Sequence, residues 1–352
     1  MQLRIQNLDR LIHSAVDNKQ IFGAVVHVES GDRQLTWGGA AGNMDADSRF
    51  FIASATKLYV TAALLNLLAR NQIKWTDPIA LYLDKRLLAG LHHYQGTEYS
   101  CDITIEQLMA HTSGLPDYFQ HKRKSGKSLA DEIMSGHDQA WSLLNVIEEV
   151  KQMKPHFAPG TKGKALYSDT NYQLLGQIIE TVTNQPLNEV FKQYIYEPLS
   201  LSDTYLYTNI HDHTPSPLYY KDSPLHIPLA MASFGPDGGI VSTAEELMRF
   251  LRAFMEGTIF PKNYLSELYV WNKIFFPLQY GKGIAKFKLP RLFSPFKPLP
   301  ELIGHSGLSG AFAYYSPKHD LYLCGTVNQI SPPSLSYKLM LRIINTLSAT
   351  DT

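Results

Sequence analysis

The sequence has few of the features that mark several common classes of protein. Its 352 residues include two cysteines, Cys101 and Cys324, which are too few for a disulfide framework or a cysteine zinc site. Because 32 basic residues balance 32 acidic ones, the composition gives no support for a nucleic-acid partner. No apolar run approaches the roughly 18 residues of a membrane span. Clustered metal ligands are also lacking, so we expect neither a metal ion nor a cofactor.

The rest of the composition is that of a globular enzyme. Hydrophobic residues make up 44% of the chain and charged residues 18%, which argues against disorder. The length suits one large or two medium domains. The N-terminus, which starts at Met1, lacks the apolar core of a signal peptide. If Met1 is the native start we expect a cytoplasmic protein, and otherwise an exported one. The sequence leaves the oligomeric state open.

Strand patterns occur at the two ends of the chain, and helical patterns lie between them. We predict strands at 23–28, 34–37, 49–52, 311–315 and 321–327, and a loop at Gly38–Gly42. We predict helices at 3–17, 54–70, 140–153, 170–181, 186–196 and 336–347, and two more that capping boxes open, from Thr104 to about Ser113 and from Ser242 to about Met255. The segment 258–300 is not assigned. We therefore expect an α/β domain formed by residues 1–75 and 235–352, with a mostly helical domain, 76–234, inserted into it.

The start of the helix at 54–70 carries a hydroxyl and an amine on one face. Ser54 and Lys57 are three residues apart, and the helix that follows is apolar nearly all round. The helix dipole and burial both disfavour an ammonium here, and a neutral amine beside a hydroxyl is a general base beside a nucleophile. The alternative is that Ser54 only caps the helix while Lys57 extends to solvent. We discount a second Ser-x-x-Lys, at 294–297, because it lies in a proline-rich stretch.

Two further segments carry polar groups that could serve the same chemistry. Tyr167-Ser168-Asp169 leads into a helix, and a phenol near a lysine ammonium can have a lowered pKa and move a proton to a leaving group. Gly304-His305-Ser306-Gly307-Leu308 precedes a strand, where small residues let a substrate approach and backbone N–H groups could stabilise an oxyanion. The alternatives are a capped helix start with a packed tyrosine, and a glycine-rich turn with an exposed histidine.

In their order along the chain, three motifs resemble those of a known family. Ser54-x-x-Lys57, Tyr167-x-Asp169 and His305-Ser306-Gly307 are similar to the motifs of the serine β-lactamases and penicillin-binding proteins. The resemblance is closest to the class C β-lactamase-like branch, with its D-alanyl-D-alanine carboxypeptidases, D-aminopeptidases and esterases. Similar flanking runs occur at 111–116, 159–161 and 234–243. The resemblance spans roughly residues 20 to 330. It implies an antiparallel sheet built from both termini, flanked by helices and interrupted by a helical domain.

The resemblance also implies roles for individual residues. Ser54 would be the acylated nucleophile, Lys57 would accept its proton, and Tyr167 would be the partner acid and base. The backbone N–H groups of Ser54 and Leu308 would form the oxyanion hole. The substrate-binding residues would be Asp169, His305, Ser306 and Gly307.

The second and third motifs depart from the usual family pattern. Asp169 stands where the family usually has Asn, and a carboxylate cannot donate a hydrogen bond to a substrate carbonyl. Instead it would hold the charge on Lys57 or repel an acidic substrate. His305 stands where Lys is frequent, and a neutral imidazole binds a carboxylate less strongly than an ammonium. We therefore expect a serine hydrolase that acts on an ester or amide in a small molecule or peptide, esterase-like or D-amino-acid peptidase-like, rather than an efficient β-lactamase. The alternative is a family member that binds penicillin or peptides with little or no turnover.

Overall fold

The two ends of the chain meet in one antiparallel sheet. The computed structural model describes residues 2–290, 292 and 299–348. The strands are β1 (Gly23–Ser30), β2 (Thr36–Gly42), β3 (Phe50–Phe51), β4 (His93–Tyr94), β5 (Thr97–Glu98), β6 (Tyr205–Leu206), β7 (Leu218–Tyr220), β8 (Ser223–Leu225), β9 (Ile240–Ser242), β10 (Asn272–Phe275), β11 (Leu278–Tyr280), β12 (Ala285–Phe287), β13 (Leu302–Ser306), β14 (Ala311–Ser316) and β15 (Leu321–Thr326). Eight of them pair in the order β10-β11-β12-β13-β14-β15-β1-β2.

Helices cover both faces of this sheet. They are α1 (Gln2–Ala15), α2 (Thr56–Ala69), α3 (Lys85–Leu88), α4 (Ile105–Met109), α5 (Leu129–Met134), α6 (Leu143–Lys151), α7 (Asp169–Thr183), α8 (Leu187–Phe191), α9 (Pro228–Phe234), α10 (Ala244–Glu256), α11 (Tyr264–Leu268) and α12 (Ser334–Ser348). Alternate residues of β1 serve different cores, since Val26 and Val28 pack with α1 and α12 while Val25 faces the core that contains α2 and α10. The antiparallel sheet flanked by helices is the predicted fold, and it is confirmed.

Helix α2 lies in the middle of the larger core. All of its residues except Asn66 and Ala69 are buried, as its apolar sequence predicts. The short strand β3 turns into this helix through one 3-10 turn, Ala53–Ala55. Ala53 has a φ of +46°, a conformation that a residue with a Cβ rarely adopts. Such local strain is tolerated where the surrounding packing fixes the backbone conformation. Here the conformation of Ala53 sets the direction in which the chain turns from β3 towards Ser54.

The structure differs from the sequence-based expectation at several places. The predicted loop Gly38–Gly42 is part of β2, because ladder pairing with β1 continues to Gly42 despite the low strand propensity of glycine. The helix that the Thr104 capping box opens ends at Met109, short of Ser113. The cap of α10 is Thr243 rather than Ser242, since the Thr243 side chain accepts the N–H of Glu246. The unassigned segment 258–300 contains α11 and the strands β10 to β12.

The inserted segment 76–234 contributes none of the strands described for the eight-stranded sheet. Its strand β6 pairs instead with β9, in a small sheet that also contains β3. The boundaries at 75 and 235 stay a prediction. Within the described residues, no helix is both long and apolar enough to cross a bilayer. The Ser-x-x-Lys at 294–297 lies outside the described residues.

Candidate active site

Ser54 lies at the junction between the small sheet and helix α2. Its side chain is partly exposed, in contrast to the buried residues that follow it in α2. Its backbone N–H forms no hydrogen bond with the described residues, because it stands ahead of the first bonded N–H of the turn, that of Ala55. The turn therefore presents a hydroxyl and a free N–H group to the same cleft.

Lys57 is completely buried one turn further along, and its amine is surrounded by oxygen atoms. Its Nζ lies 3.2 Å from Ser54 Oγ, 2.6 Å from the carbonyl oxygen of Asp237 and 2.7 Å from Asp169 Oδ1. The Ser54 hydroxyl and the Asp237 carbonyl oxygen accept hydrogen bonds from Nζ, whereas Asp169 Oδ1 lies at ion-pair distance and has no hydrogen-bond partner among the described residues. Asp169 lies where a carboxylate can pair with an ammonium, and the neutral amine expected from the sequence stays a prediction. Asp169 is the ion-pair partner of Lys57, and its role in holding charge on the amine stays a prediction.

Tyr167 precedes helix α7, and the residues around it fix its position. The N–H of Ser168 donates to His111 Nδ1 at 3.1 Å, and the Tyr167 and His111 rings lie 4.4 Å apart. The Ser54 side chain lies close enough to the Tyr167 hydroxyl to lower the pKa of the phenol. Burial and the nearby charge of Asp169 raise the pKa of Tyr167 well above that of an ordinary phenol. The phenol therefore stays protonated, which corrects the expectation of a lowered pKa.

The end of β13 approaches the Ser54 turn very closely. A Cβ on Gly307 would lie 2.3 Å from the carbonyl oxygen of Ile52 and 2.8 Å from Ala53 Cβ, so only glycine fits there without movement. Ser309 Oγ donates to the Phe51 carbonyl at 2.6 Å and fastens the next loop to β3. Leu308, like Ser54, lines the cleft, and its N–H forms no hydrogen bond with the described residues. The two N–H groups that the resemblance assigned to an oxyanion hole are thus both unpaired beside one cavity.

His305 is buried inside the protein instead of being presented to the cleft. Its Nδ1 lies 2.8 Å from the carbonyl oxygen of Ser306, which can only accept, so Nδ1 carries the proton and Nε2 accepts the Tyr280 O–H at 3.0 Å. Burial lowers the pKa of His305 to about 3, which leaves the ring neutral at pH 7. Ser306 Oγ is likewise paired with Tyr337, at 2.7 Å. His305 is therefore neither exposed nor left with a free donor for a substrate.

A cavity of about 60 Å³ opens beside Ser54. Its lining residues are Ala53, Ser54, Phe119, Gln120, Ile133, Met134, Asp169, Leu218, Ile227, Met231, Phe234, Asp237, Gly238, Leu308, Ser309 and Ile330. The sequence did not single out Asp237, although it stands in the glycine-rich run at 234–243. The only local sign of a role for Asp237 is that an acid stands alone between apolar and glycine residues. Its contacts, with Lys57, Tyr118 and Gln173, involve distant parts of the chain and cannot be read from the local sequence.

The fold and the site together define a class of protein. The sheet is antiparallel and flanked by helices, a Ser-Lys pair lies at the start of a buried helix, and a tyrosine lies beside the serine. This combination is typical of β-lactamases and penicillin-binding proteins. The family model Beta-lactamase matches residues 8–343. The chain belongs to the Beta-lactamase family.

Comparison with individual proteins gives hydrolases of several kinds. The D-alanyl-D-alanine-carboxypeptidase/endopeptidase AmpH of Escherichia coli (strain K12) is 27% identical over 227 residues, which cover 62% of this chain and 51% of AmpH. A D-stereospecific amidohydrolase from Streptomyces sp. superposes with a TM-score of 0.75 at 26% identity, over 95% of this chain and 97% of its own. The D-amino acid amidase from Ochrobactrum anthropi SV3 has a TM-score of 0.77 at 20% identity, over 96% and 99% of the two chains, and supports the fold alone. The chain spans about half the length of AmpH and less of other curated relatives.

Proposed function

We propose that this protein is a serine hydrolase that forms an acyl-enzyme on Ser54 with an ester or amide substrate. The observation that carries the proposal is the completely buried Lys57 amine in contact with the partly exposed Ser54 hydroxyl, which lines the cavity. Burying an ammonium is costly, and a helix that needed only a core residue at this position would be more stable with an apolar one. A proton-handling role for Lys57 explains why the charge is there.

The contacts of Lys57 suggest the route of the proton. When Ser54 Oγ attacks a carbonyl carbon, its proton passes to Lys57 Nζ while an Nζ proton passes to Asp169 Oδ1. Asp169 becomes a neutral carboxylic acid, Lys57 keeps its ammonium, and the negative charge that Asp169 gives up appears on the oxyanion, so the net charge of the site does not change. Tyr167, which stays protonated and lies beside Ser54, is the acid placed to protonate the leaving group, and the proton that Asp169 took up then restores the phenol. The N–H groups of Ser54 and Leu308 would donate hydrogen bonds to the oxyanion. Each such donor lowers the activation barrier by roughly 3–4 kcal/mol.

The charges around the site disfavour substrates that are recognised through a carboxylate. His305 is neutral and both of its nitrogens are bonded within the protein, so the third motif offers no cation. Asp169 places a negative charge next to Lys57. These features support an esterase-like or D-amino-acid peptidase-like hydrolase, in agreement with relatives that are named as a carboxypeptidase and an amidohydrolase.

The Asp169–Lys57 ion pair also supports the second candidate function. If Asp169 does not accept a proton during the reaction, Lys57 stays an ammonium and cannot take one from Ser54. The protein would then bind penicillins or peptides with little or no turnover.

Replacement of Ser54 separates these functions. We expect Ser54→Ala to abolish hydrolysis of p-nitrophenyl acetate and of short peptides, with circular dichroism and melting temperature unchanged. Ser125→Ala is the matched control, because Ser125 is exposed and does not line the cavity. Turnover that persists in Ser54→Ala would contradict the proposed nucleophile, and absence of turnover in the unaltered protein would favour the binding function.

A further inference from the structure

A basic groove lies next to the cavity of Ser54. Two separate parts of the chain, 116–124 and 152–156, line this open groove of about 540 Å³. None of the described residues that line it is Asp or Glu, and its basic residues are His121, Lys122, Arg123, Lys124, Lys154 and His156. The whole chain, by contrast, balances 32 basic residues with 32 acidic ones. A groove of one sign in a neutral protein raises the local concentration of ligands of the opposite charge.

The lysines of this groove have no acidic partner. Among the described residues, Lys122, Lys124 and Lys154 form no ion pair, and Lys124 Nζ instead donates to Gln152 Oε1 at 2.7 Å. Arg123 differs, because it is paired with two glutamates at 3.0 and 3.5 Å. The uncompensated positive charge therefore comes from three lysines, two from the first part of the chain and one from the second.

His121 adds a neutral hydrogen-bond donor to the groove. Its Nδ1 accepts the N–H of Asp117 at 3.1 Å, so the ring proton lies on Nε2, which has no hydrogen-bond partner among the described residues. Burial and the neighbouring His156 lower the pKa of His121, so the ring is neutral at pH 7. An anion in the groove would therefore find an imidazole N–H as well as lysine ammonium groups.

One turn of the backbone joins this groove to the Ser54 cavity. The N–H of His121 donates to the carbonyl oxygen of Asp117 at 3.1 Å and closes the turn. Phe119 and Gln120, which lie within the turn, both line the cavity, and Gln120 also lines the groove. A ligand that fills the cavity and continues past Gln120 therefore enters the groove.

The cavity lies on the acyl side of the proposed nucleophile. Tyr167, the acid proposed for the leaving group, is not among the described residues that line the cavity, whereas Ser54 and Leu308 are. The leaving group therefore departs towards Tyr167, and the cavity holds the acyl group. The groove beyond Gln120 faces the end of the acyl group that is remote from the scissile carbonyl.

We propose that the basic groove binds an anionic group at the remote end of the substrate's acyl part, while the apolar section of the acyl part occupies the Ser54 cavity. This substrate class rests on the proposed acylation of Ser54. An anion close to the scissile carbonyl would meet Asp169 in the cavity wall and be repelled. The groove therefore favours an anion only at the end of an apolar spacer.

Esters that differ only in the remote charge test this proposal. The mono-p-nitrophenyl esters of succinate, adipate, suberate and sebacate are compared with the same esters in which the free carboxyl is methylated, by release of p-nitrophenolate. We expect kcat/KM of the charged ester to exceed that of its neutral partner by about tenfold at the best length, and not at the short succinate. A charged ester that exceeds its neutral partner at no length would overturn the proposal.

Salt shows whether the preference is ionic. Exposed charges are screened as the ionic strength rises, so we expect the ratio of the charged to the neutral kcat/KM to fall when sodium chloride is added. A ratio that is independent of salt would contradict binding of the carboxylate by the lysines.

Substitutions on both walls of the groove assign the preference to its lysines. In the double variant Lys124→Gln with Lys154→Gln, each side chain keeps nearly its length and loses its charge, so we expect the ratio at the best length to fall to near one. Lys19→Gln is the control, because Lys19 is exposed and does not line the groove. An unchanged ratio in the double variant would refute the role of the groove.

Binding without turnover separates this proposal from the proposed function. ω-Phenylalkanoates of the same range of lengths, and the matching alcohols, are titrated calorimetrically into the unaltered protein and the double variant. We expect the best acid to bind about tenfold more tightly than its alcohol, and only in the unaltered protein. Equal binding at every length would contradict the anion site while leaving the serine hydrolase intact. A protein that neither hydrolyses the neutral esters nor reacts with a phosphonate at Ser54 would instead refute the proposed function.

Discussion

Gly307 offers a direct test of how the backbone of this site is assembled. In Gly307→Ala the new Cβ would lie 2.3 Å from the Ile52 carbonyl oxygen and 2.8 Å from Ala53 Cβ. Restoring ordinary van der Waals distances requires the end of β13 and the Ser54 turn to separate by roughly 1 Å. Such overpacking costs about 1–3 kcal/mol of unfolding free energy. The separation also moves the Leu308 N–H away from Ser54, and a misplacement of this size lowers the rate of catalysis by about a hundredfold.

The assay for Gly307→Ala measures kcat with an activated ester, together with the melting temperature. Gly38→Ala is the control, because a Cβ on Gly38 would have its nearest neighbour at 3.5 Å, an ordinary contact. We expect a large fall in kcat for Gly307→Ala alone. If kcat stays within a few-fold of the unaltered protein while Gly307→Ala folds, the Leu308 N–H does not take part in stabilising the oxyanion.

Three further substitutions probe the buried charges and hydrogen bonds. Asp169→Asn removes the carboxylate 2.7 Å from Lys57, so we expect the unfolding free energy to fall by about 3–5 kcal/mol. We also expect faster acylation by penicillin in intact-mass time courses. An adduct that forms at the same rate or more slowly would count against the account of Asp169. Burial and the charge of Asp169 raise the pKa of the Asp117 carboxyl to about 8, above its value of about 3.9 in the unfolded chain. The protonated carboxyl therefore contributes its full stabilisation below about pH 3.9, and this contribution is lost as the pH rises towards 8. Asp117→Asn should therefore lose less unfolding free energy than the unaltered protein between roughly pH 5 and pH 8 in urea titrations, and parallel losses would refute this. Tyr280→Phe leaves His305 Nε2 without its donor, which should cost about 1–3 kcal/mol in the same titrations, whereas unchanged stability would mean that the bond is not formed.

The Ser54–Lys57 part of the site could be predicted from the sequence because the two residues are neighbours along the chain. Ser54 lies in the 3-10 turn that leads into α2 and Lys57 in the first turn of α2, and a three-residue spacing in helical backbone places two side chains on one face. Periodicity likewise predicted the strands at both ends and the buried helix between them. Tyr167 and the segment around Gly307 could be placed only through the order of the three motifs, since nothing in their own neighbourhoods requires them to meet Ser54.

What could not be predicted depends on contacts between distant segments. Burial and the charge of Asp169 raise the pKa of Tyr167. The burial depends on packing against distant segments, which the local sequence does not reveal. Asp237 reaches Lys57 across 180 residues of sequence, and Tyr280 reaches His305 from a segment that the pattern left unassigned. The loop expected at Gly38–Gly42 is a strand because pairing with β1 outweighs residue propensity.

The most direct test of the central claim is the intact mass of the protein after reaction with a phosphonate probe or an activated short-chain ester, and separately with a penicillin. Ser54→Ala is run in parallel. We expect a single adduct with the phosphonate or ester that is absent in Ser54→Ala and maps to the peptide containing residues 54–57. We also expect a much slower adduct with the penicillin, because Asp169 and the neutral His305 do not favour its carboxylate. No adduct with any of these reagents, or one that persists in Ser54→Ala, would contradict the acyl-enzyme on Ser54.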